Sequence, residues 1–127
     1  MKQRVKILVA DDRRSTRQGL KALLSLLPEV EIVAEAADGR QSIDFVAECR
    51  PDVVLMDLQM PGMDGVEATR RIKERWPAVR VIALTIHPHY RTAALAAGAD
   101  VFLLKESEPG ALVGAILDKL EDPLLEE

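Results

Sequence analysis

Val5-Lys6-Ile7-Leu8-Val9-Ala10 is a run of β-branched and aliphatic residues, broken only by Lys6, that stops on two carboxylates, Asp11-Asp12. Four short runs of similar texture follow, at Glu31–Ala36, Asp52–Met56, Arg80–Leu84 and Val101–Leu104. Longer stretches with helical spacing separate them. Leu20, Leu23, Leu24 and Leu27 fall at i, i+3, i+4 and i+7. Ile43, Val46 and Ala47 repeat that pattern, as do Leu112, Ala115 and Ile116. Val66, Ile72 and Trp76 fit a further helix, and the Ala-rich stretch from Tyr90 to Ala97 predicts a short one ended by Gly98. Five strands alternating with five helices imply βαβ units and a parallel sheet covered on both faces. The first, third and fourth runs are nearly continuous in apolar residues, as parallel strands buried on both faces are. The second alternates at Glu31, Val33 and Glu35 and suits a sheet edge.

The punctuation agrees with this division. Pro28 closes the first helix, Gly39 opens the second, Pro51 precedes the third strand, and Pro109 sits where a first helical turn tolerates proline. The predicted class is therefore α/β: a flavodoxin-like, doubly wound, five-stranded parallel sheet of order 2-1-3-4-5 with five helices. The chain has 127 residues, enough for one domain, assigned to 1–121, with 122–127 as the start of a linker or a C-terminal tail. Aromatics are only 3% of the residues, so the core must be aliphatic. A net charge of −4 makes nucleic-acid binding by bulk electrostatics a poor expectation. The single cysteine, Cys49, can form neither an internal disulfide nor a thiolate metal site. It reads as a packing residue, and a reducing cytoplasm is the expected compartment. No apolar run approaches the roughly 20 residues of a membrane span, and the first run is too short for a signal peptide.

Chemistry gathers at the carboxyl ends of the strands. In an open doubly wound sheet, ligands bind beyond those ends, where the strand order reverses. For the order 2-1-3-4-5 that place lies between strands one and three, so Asp11, Asp12 and Asp57 share one pocket by topology. Two carboxylates about 4 Å apart repel by roughly 4 kcal/mol at an effective dielectric of 20. A trio persists only around positive charge, and an all-oxygen donor set selects a hard divalent cation, best Mg²⁺. Thr85 ends the fourth run and Lys105 the fifth, adding a hydroxyl donor and an ammonium. The set describes a phosphoryl site: nucleophilic carboxylate, metal, hydroxyl and ammonium.

With those residues in place, the whole chain resembles the receiver domain of two-component response regulators, in particular the NarL/LuxR-type subfamily. The resemblance is carried by Val9-Ala10-Asp11-Asp12, by the stretch from Asp52 through Asp57-Leu58-Gln59-Met60-Pro61-Gly62-Met63-Asp64-Gly65, by Thr85, and by Gly98-Ala99-Asp100-Val101-Phe102-Leu103-Leu104-Lys105. Glu106 follows the lysine, where many family members have proline. The resemblance implies that Asp57 accepts a phosphoryl group from a sensor histidine kinase or phosphotransfer protein. It implies that Asp12, Asp57 and the main-chain carbonyl of Gln59 ligate Mg²⁺, with Asp11 acting through water. Lys105 would then pair with the phosphoryl oxygens, Thr85 would move to bond them, and Phe102 would stand where the family carries its switch aromatic. Gln59 and His87 would occupy variable positions that tune the phosphoryl group's lifetime. The switch would alter the surface of the fourth helix, fifth strand and fifth helix and control an output domain. That domain is expected to be a helix-turn-helix DNA binder outside this chain, so no nucleic acid is assigned to these residues, nor any membrane. A homodimer on phosphorylation accords with the same resemblance.

Other readings compete. A flavin-binding flavodoxin needs a Ser/Thr/Gly-rich phosphate loop after the first strand, where Asp11-Asp12-Arg13-Arg14 stands. An aspartyl phosphatase needs a carboxylate two residues after its nucleophile, where Gln59 stands. A pseudo-receiver, independent of phosphorylation and serving only as an interaction module, would not need the full acceptor, metal, threonine and lysine set. No enzyme beyond a phosphoacceptor that assists its own phosphorylation and dephosphorylation is expected. His87-Pro88-His89 reads as solvated loop histidines, because the proline bends the chain between the imidazoles. Arg13-Arg14 and Arg70-Arg71 read as solvated helix faces, the first pair bordering the pocket.

Overall fold

The five apolar runs form strands β1 (Val5–Ala10), β2 (Val30–Ala36), β3 (Val53–Asp57), β4 (Arg80–Thr85) and β5 (Val101–Leu104). Helices α1 (Arg14–Leu24), α2 (Gly39–Cys49), α3 (Gly65–Arg75), α4 (Arg91–Ala96) and α5 (Pro109–Leu117) lie between and after them. This computed structural model describes residues 4–118; the boundary expected at 121 and the segment 122–127 lie outside the described residues. All strand pairs are parallel, in the order β2-β1-β3-β4-β5. The doubly wound arrangement read from the sequence is the arrangement found. No helix among the described residues is long and apolar enough to cross a membrane.

Alternation along each strand splits the interior in two. Leu8, Ala10, Val54, Met56, Val81 and Ala83 face α2, α3 and α4, where Val46, Ala68, Ile72 and Ala94 cover them. Val5, Ile7, Val9, Val53, Leu55, Ile82 and Leu84 face α1 and α5, under Leu24, Leu112, Ala115 and Ile116. The helix starts are set locally. Asp38 and Asp64 are N-caps whose carboxylates accept the amides of Gln41 and Glu67. Pro109 takes the first position of α5, where its missing N–H is no loss.

Some boundaries differ from the sequence reading. Asp57 and Thr85 are the last residues of β3 and β4, because the ladder continues to Asp57–Leu84 and Thr85–Leu104. Helix α1 stops at Leu24, well before Pro28, since Ser25 folds its hydroxyl back onto the Ala22 carbonyl. Leu27 still packs in the α1–α5 cluster from outside the helix. Trp76 caps α3 instead of extending it, with the Arg75 guanidinium 4.6 Å from its ring.

Strand β2 holds the largest departure. It is an edge, as expected, but its register against β1 jumps from Ile7–Ile32 to Leu8–Ala34. Val33 is the extra residue of a β-bulge, and a bulge reverses which face later side chains occupy. Val30 and Ile32 therefore join the α1–α5 cluster, whereas Ala34 and Ala36 join the α2–α3 cluster. Glu35, opposite Val9, is turned toward α1.

Candidate functional site

The strand order reverses at β1, and the carboxyl ends of β1 and β3 form the floor of a small cleft of about 110 Å³. It is lined by Asp12, Arg13, Thr16, Asp57, Gln59, Ile86 and Lys105. The aspartates singled out from the sequence converge here. Asp11, Asp12 and Asp57 each offer a carboxylate oxygen, and the three oxygens lie within 4.8 Å of one another. Asp11 and Asp57 are buried, whereas Asp12 is exposed.

Every polar group of Asp11 is engaged. Its amide donates to the Ala36 carbonyl at 3.0 Å, and its carbonyl accepts from Arg17 Nη1 at 2.6 Å. One carboxylate oxygen accepts the Arg13 amide at 2.8 Å and the other the Lys105 ammonium at 2.9 Å. Lys105 also reaches Asp57 Oδ1 at 3.1 Å, so one cation bridges two buried anions. The backbone of Lys105 is anchored where β5 leaves the sheet, its amide donating to the Thr85 carbonyl at 2.8 Å.

These contacts leave unequal electrostatics. Burial, then the charge of Asp11, pushes the Asp57 carboxyl above the usual carboxylate range; Lys105 opposes the rise without cancelling it. Burial pulls on the Lys105 ammonium in the opposite sense. Its bond to Asp11 and the charges of Asp57 and Asp11 outweigh that pull and hold it above the ordinary lysine value. Among the described residues, the site thus carries three carboxylates against one committed ammonium. That imbalance, with only oxygen donors facing inward, fits a hard divalent cation such as Mg²⁺.

Of the remaining sequence candidates, Gln59 lines the cleft, whereas Thr85 and Phe102 are not among its lining residues. The Thr85 side chain is buried, and its hydroxyl accepts the His87 amide at 3.1 Å. Gln59 is exposed at the cleft, its amide 3.4 Å from Asp57 Oδ1. Phe102 is half-buried on the α2–α3–α4 face, with the Arg91 guanidinium 5.9 Å from its ring. Gly65 explains part of the motif after Asp57. A Cβ there would collide with the Asp57 carbonyl oxygen, so only glycine lets α3 start against the end of β3.

His89 is exposed and His87 half-buried. Pro88–Tyr90 forms a 3₁₀ turn, and the imidazole centroids lie 5.3 Å apart, with Tyr90 4.5 Å from His89. Arg13 and Arg14 are exposed as read. Arg70 and Arg71 are exposed too, and both pair with Glu67, Arg71 at 2.9 Å. Cys49 is half-buried at the end of α2. Sequence reasoning passed over Thr16, Arg17 and Ile86. The available signal for Arg17 was its place one helical turn after Arg13, on the helix that opens directly after the aspartate pair.

A family model described as the response regulator receiver domain matches residues 7–117. The chain is 42% identical over 115 residues to the transcriptional regulatory protein DegU of Brevibacillus brevis, covering 89% of this chain and 49% of that protein. It is 38% identical over 112 residues to the nitrate/nitrite response regulator protein NarL of Escherichia coli K12, covering 87% and 52%. The chain therefore spans about half the length of these curated relatives. A LuxR-family two-component response regulator from Aurantimonas sp. SI85-9A1 superposes with a TM-score of 0.88 at 36% identity, over 94% of this chain and 86% of that one. The response regulator domain of Thermotoga maritima CheB gives a TM-score of 0.87 at 28% identity, over 95% and 100%.

Proposed function

The chain belongs to the response regulator receiver family, in its NarL/LuxR-type branch, and on that footing we propose that it accepts a phosphoryl group on Asp57 from a sensor histidine kinase or phosphotransfer protein. One observation carries the assignment. Asp57 is a buried carboxylate set within 4.8 Å of two others and, among the described residues, touched by a single ammonium. Its charge is only partly offset by Lys105, so the added negative charge of an acyl phosphate calls for a bound cation beside the ammonium. An Asp57 oxygen attacks phosphorus as the P–N bond to the donor imidazole breaks, and the bonding pair leaves with the imidazole, which takes up a proton. Asp12, Asp57 and the main-chain carbonyl of Gln59 would hold Mg²⁺ directly, and Asp11 through water. Bound there, the ion neutralises charge on the transferring oxygens.

The protein's own part is placement and charge. Lys105 already spans Asp11 and Asp57, so it meets the incoming phosphoryl oxygens with little movement. The Thr85 hydroxyl leaves the His87 amide to donate to the phosphoryl group, drawing the β4–α4 connection inward. Phe102 repacks with it, by burial alone, since phenylalanine has no hydroxyl to exchange. The result biases a two-state equilibrium of the α4–β5–α5 surface. That surface would control an output domain, a helix-turn-helix DNA binder in the longer protein, and favour a homodimer. Transcription regulation would run through that domain and in the cytoplasm.

The test is intact-mass labelling with acetyl phosphate and Mg²⁺. Wild type gains one phosphoryl group that is lost in alkali; Asp57→Asn gains none. Comparable labelling of the Asn variant, or no labelling of wild type by acetyl phosphate or a cognate kinase, refutes the assignment.

A further inference from the structure

Asp11 and Asp12 lie on the three-residue connection between β1 and α1. Asp12 is exposed, and among the described residues no side-chain hydrogen bond or ion pair holds it. Its direction is set by the backbone alone. The carbonyl of Asp11 belongs to the peptide unit that leads into Asp12, and Arg17 Nη1 donates to that carbonyl at 2.6 Å. The same guanidinium donates through Nε to Glu35 at 3.1 Å, and Lys21 holds the other Glu35 oxygen at 2.7 Å. Arg17 is 17% exposed, so its fork is packed against the connection and not free in solvent. Glu35 meets it only because the extra residue Val33 turns the end of β2 toward α1.

We infer that Arg17, clamped by Glu35, is a positioning residue that sets the divalent-cation affinity of the carboxylate cluster by fixing the peptide between Asp11 and Asp12. The inference rests on reading that cluster as the Mg²⁺ site. A peptide plane that turns about its flanking torsions carries the Asp12 Cα–Cβ bond with it and takes one ligand out of line. Groups that orient a ligand without touching the metal typically change affinity about 10–100-fold. A planar fork that serves two acceptors at once suits this task, and a lysine ammonium in its place would not reproduce both bonds.

The direction of the effect separates this role from plain charge. Arg17 is a cation near a cation site, so electrostatics alone would make Arg17→Ala bind Mg²⁺ more tightly. Positioning requires the reverse. The experiment is calorimetric titration of Mg²⁺ into the full chain, alongside thermal melting in chelator. Arg17→Ala is expected to bind about tenfold more weakly or worse, and Glu35→Gln severalfold more weakly, at unchanged stoichiometry. The double variant should bind no more weakly than Arg17→Ala, because both substitutions act through one contact. Lys21→Ala, which leaves the Arg17–Glu35 bond, should stay close to wild type. If Arg17→Ala does not fold, Arg17→Lys, which keeps the charge but not both bonds, decides in its place. Variants that bind as tightly as a binding-competent wild type overturn the inference and leave the site reading standing. A wild type that takes up no Mg²⁺ overturns both.

Discussion

Replacing Asp57 by asparagine should make the metal-free fold more stable. The side chain is 5% exposed, and one of its oxygens lies within 4.8 Å of an oxygen of Asp11 and of Asp12. At an effective dielectric of 20, the buried Asp11–Asp57 pair repels by about 3.5 kcal/mol, while Lys105 at 3.1 Å attracts Asp57 by about 5 kcal/mol. Exposed Asp12 adds a smaller, water-screened repulsion. Burial of the carboxylate itself costs about several kcal/mol more. Asparagine gives up the attraction but removes both repulsions and the desolvation of a full charge. Its amide oxygen still accepts from Lys105, which keeps its bond to Asp11. The balance favours Asn by about 1–3 kcal/mol, or roughly 4–10 °C in melting temperature for a chain of this size.

The assay is thermal unfolding followed by circular dichroism in chelator, at neutral pH and at a series of acid pH values. Because the folded-state pKa of Asp57 is raised, the folded chain holds that proton more tightly than the unfolded chain. The destabilisation therefore develops as pH rises from the ordinary carboxylate range through the raised folded value, and it is absent below both. The wild type should close the gap on Asp57→Asn as the solution is acidified across that window. Mg²⁺ should also narrow the gap by stabilising the wild type. An Asn variant that melts at or below the wild type in neutral chelator would show that the Lys105 attraction outweighs burial and like-charge repulsion, and the electrostatic account would be wrong.

Three further substitutions probe the frame around the site. Gly65→Ala should cost about 3 kcal/mol or more in denaturant unfolding, because the added Cβ meets backbone of Asp57 and Leu58; a midpoint near wild type would contradict the close approach. Thr69→Val should stabilise by about 1 kcal/mol, since the fully buried Thr69 hydroxyl has no hydrogen-bond partner among the described residues; a lower midpoint would mean that it has one. Lys73→Met should cost about 1–2 kcal/mol, because the ammonium donates to the carbonyls of Pro77 and Val79 and to Asp100, pinning the end of α3 to the start of β5. Faster amide exchange at Val81, whose N–H bonds the same Asp100 carboxylate, should accompany that loss.

The fold was legible because its signals are local. A run such as Val53-Val54-Leu55-Met56 is buried on both faces and reads as such without knowledge of its neighbours. Asp57, Thr85 and Lys105 were legible for a related reason: strand ends in a doubly wound sheet share one side of the molecule, so chain position implies spatial position. Val33 was not legible. A bulge is one residue of phase, and Glu31, Val33 and Glu35 kept their alternation in sequence while their faces changed in space. Arg17 was hidden by its helix, since a charged residue on the polar side of an amphipathic segment looks the same whether it meets water or a buried carbonyl. The end of α1 depended on a Ser25 hydroxyl bond that competes with the next turn, a balance too fine for helical spacing to reveal.

The sheet divides the interior side chains into two clusters, with Leu24 in one and Ile72 in the other. A void opened under α1 and a void opened under α3 would therefore sum, whereas two voids on the same side would interact. Mutational drift along the α1–α5 layer can proceed without altering the packing beneath α4. The two layers of this small protein are, in effect, separately adjustable.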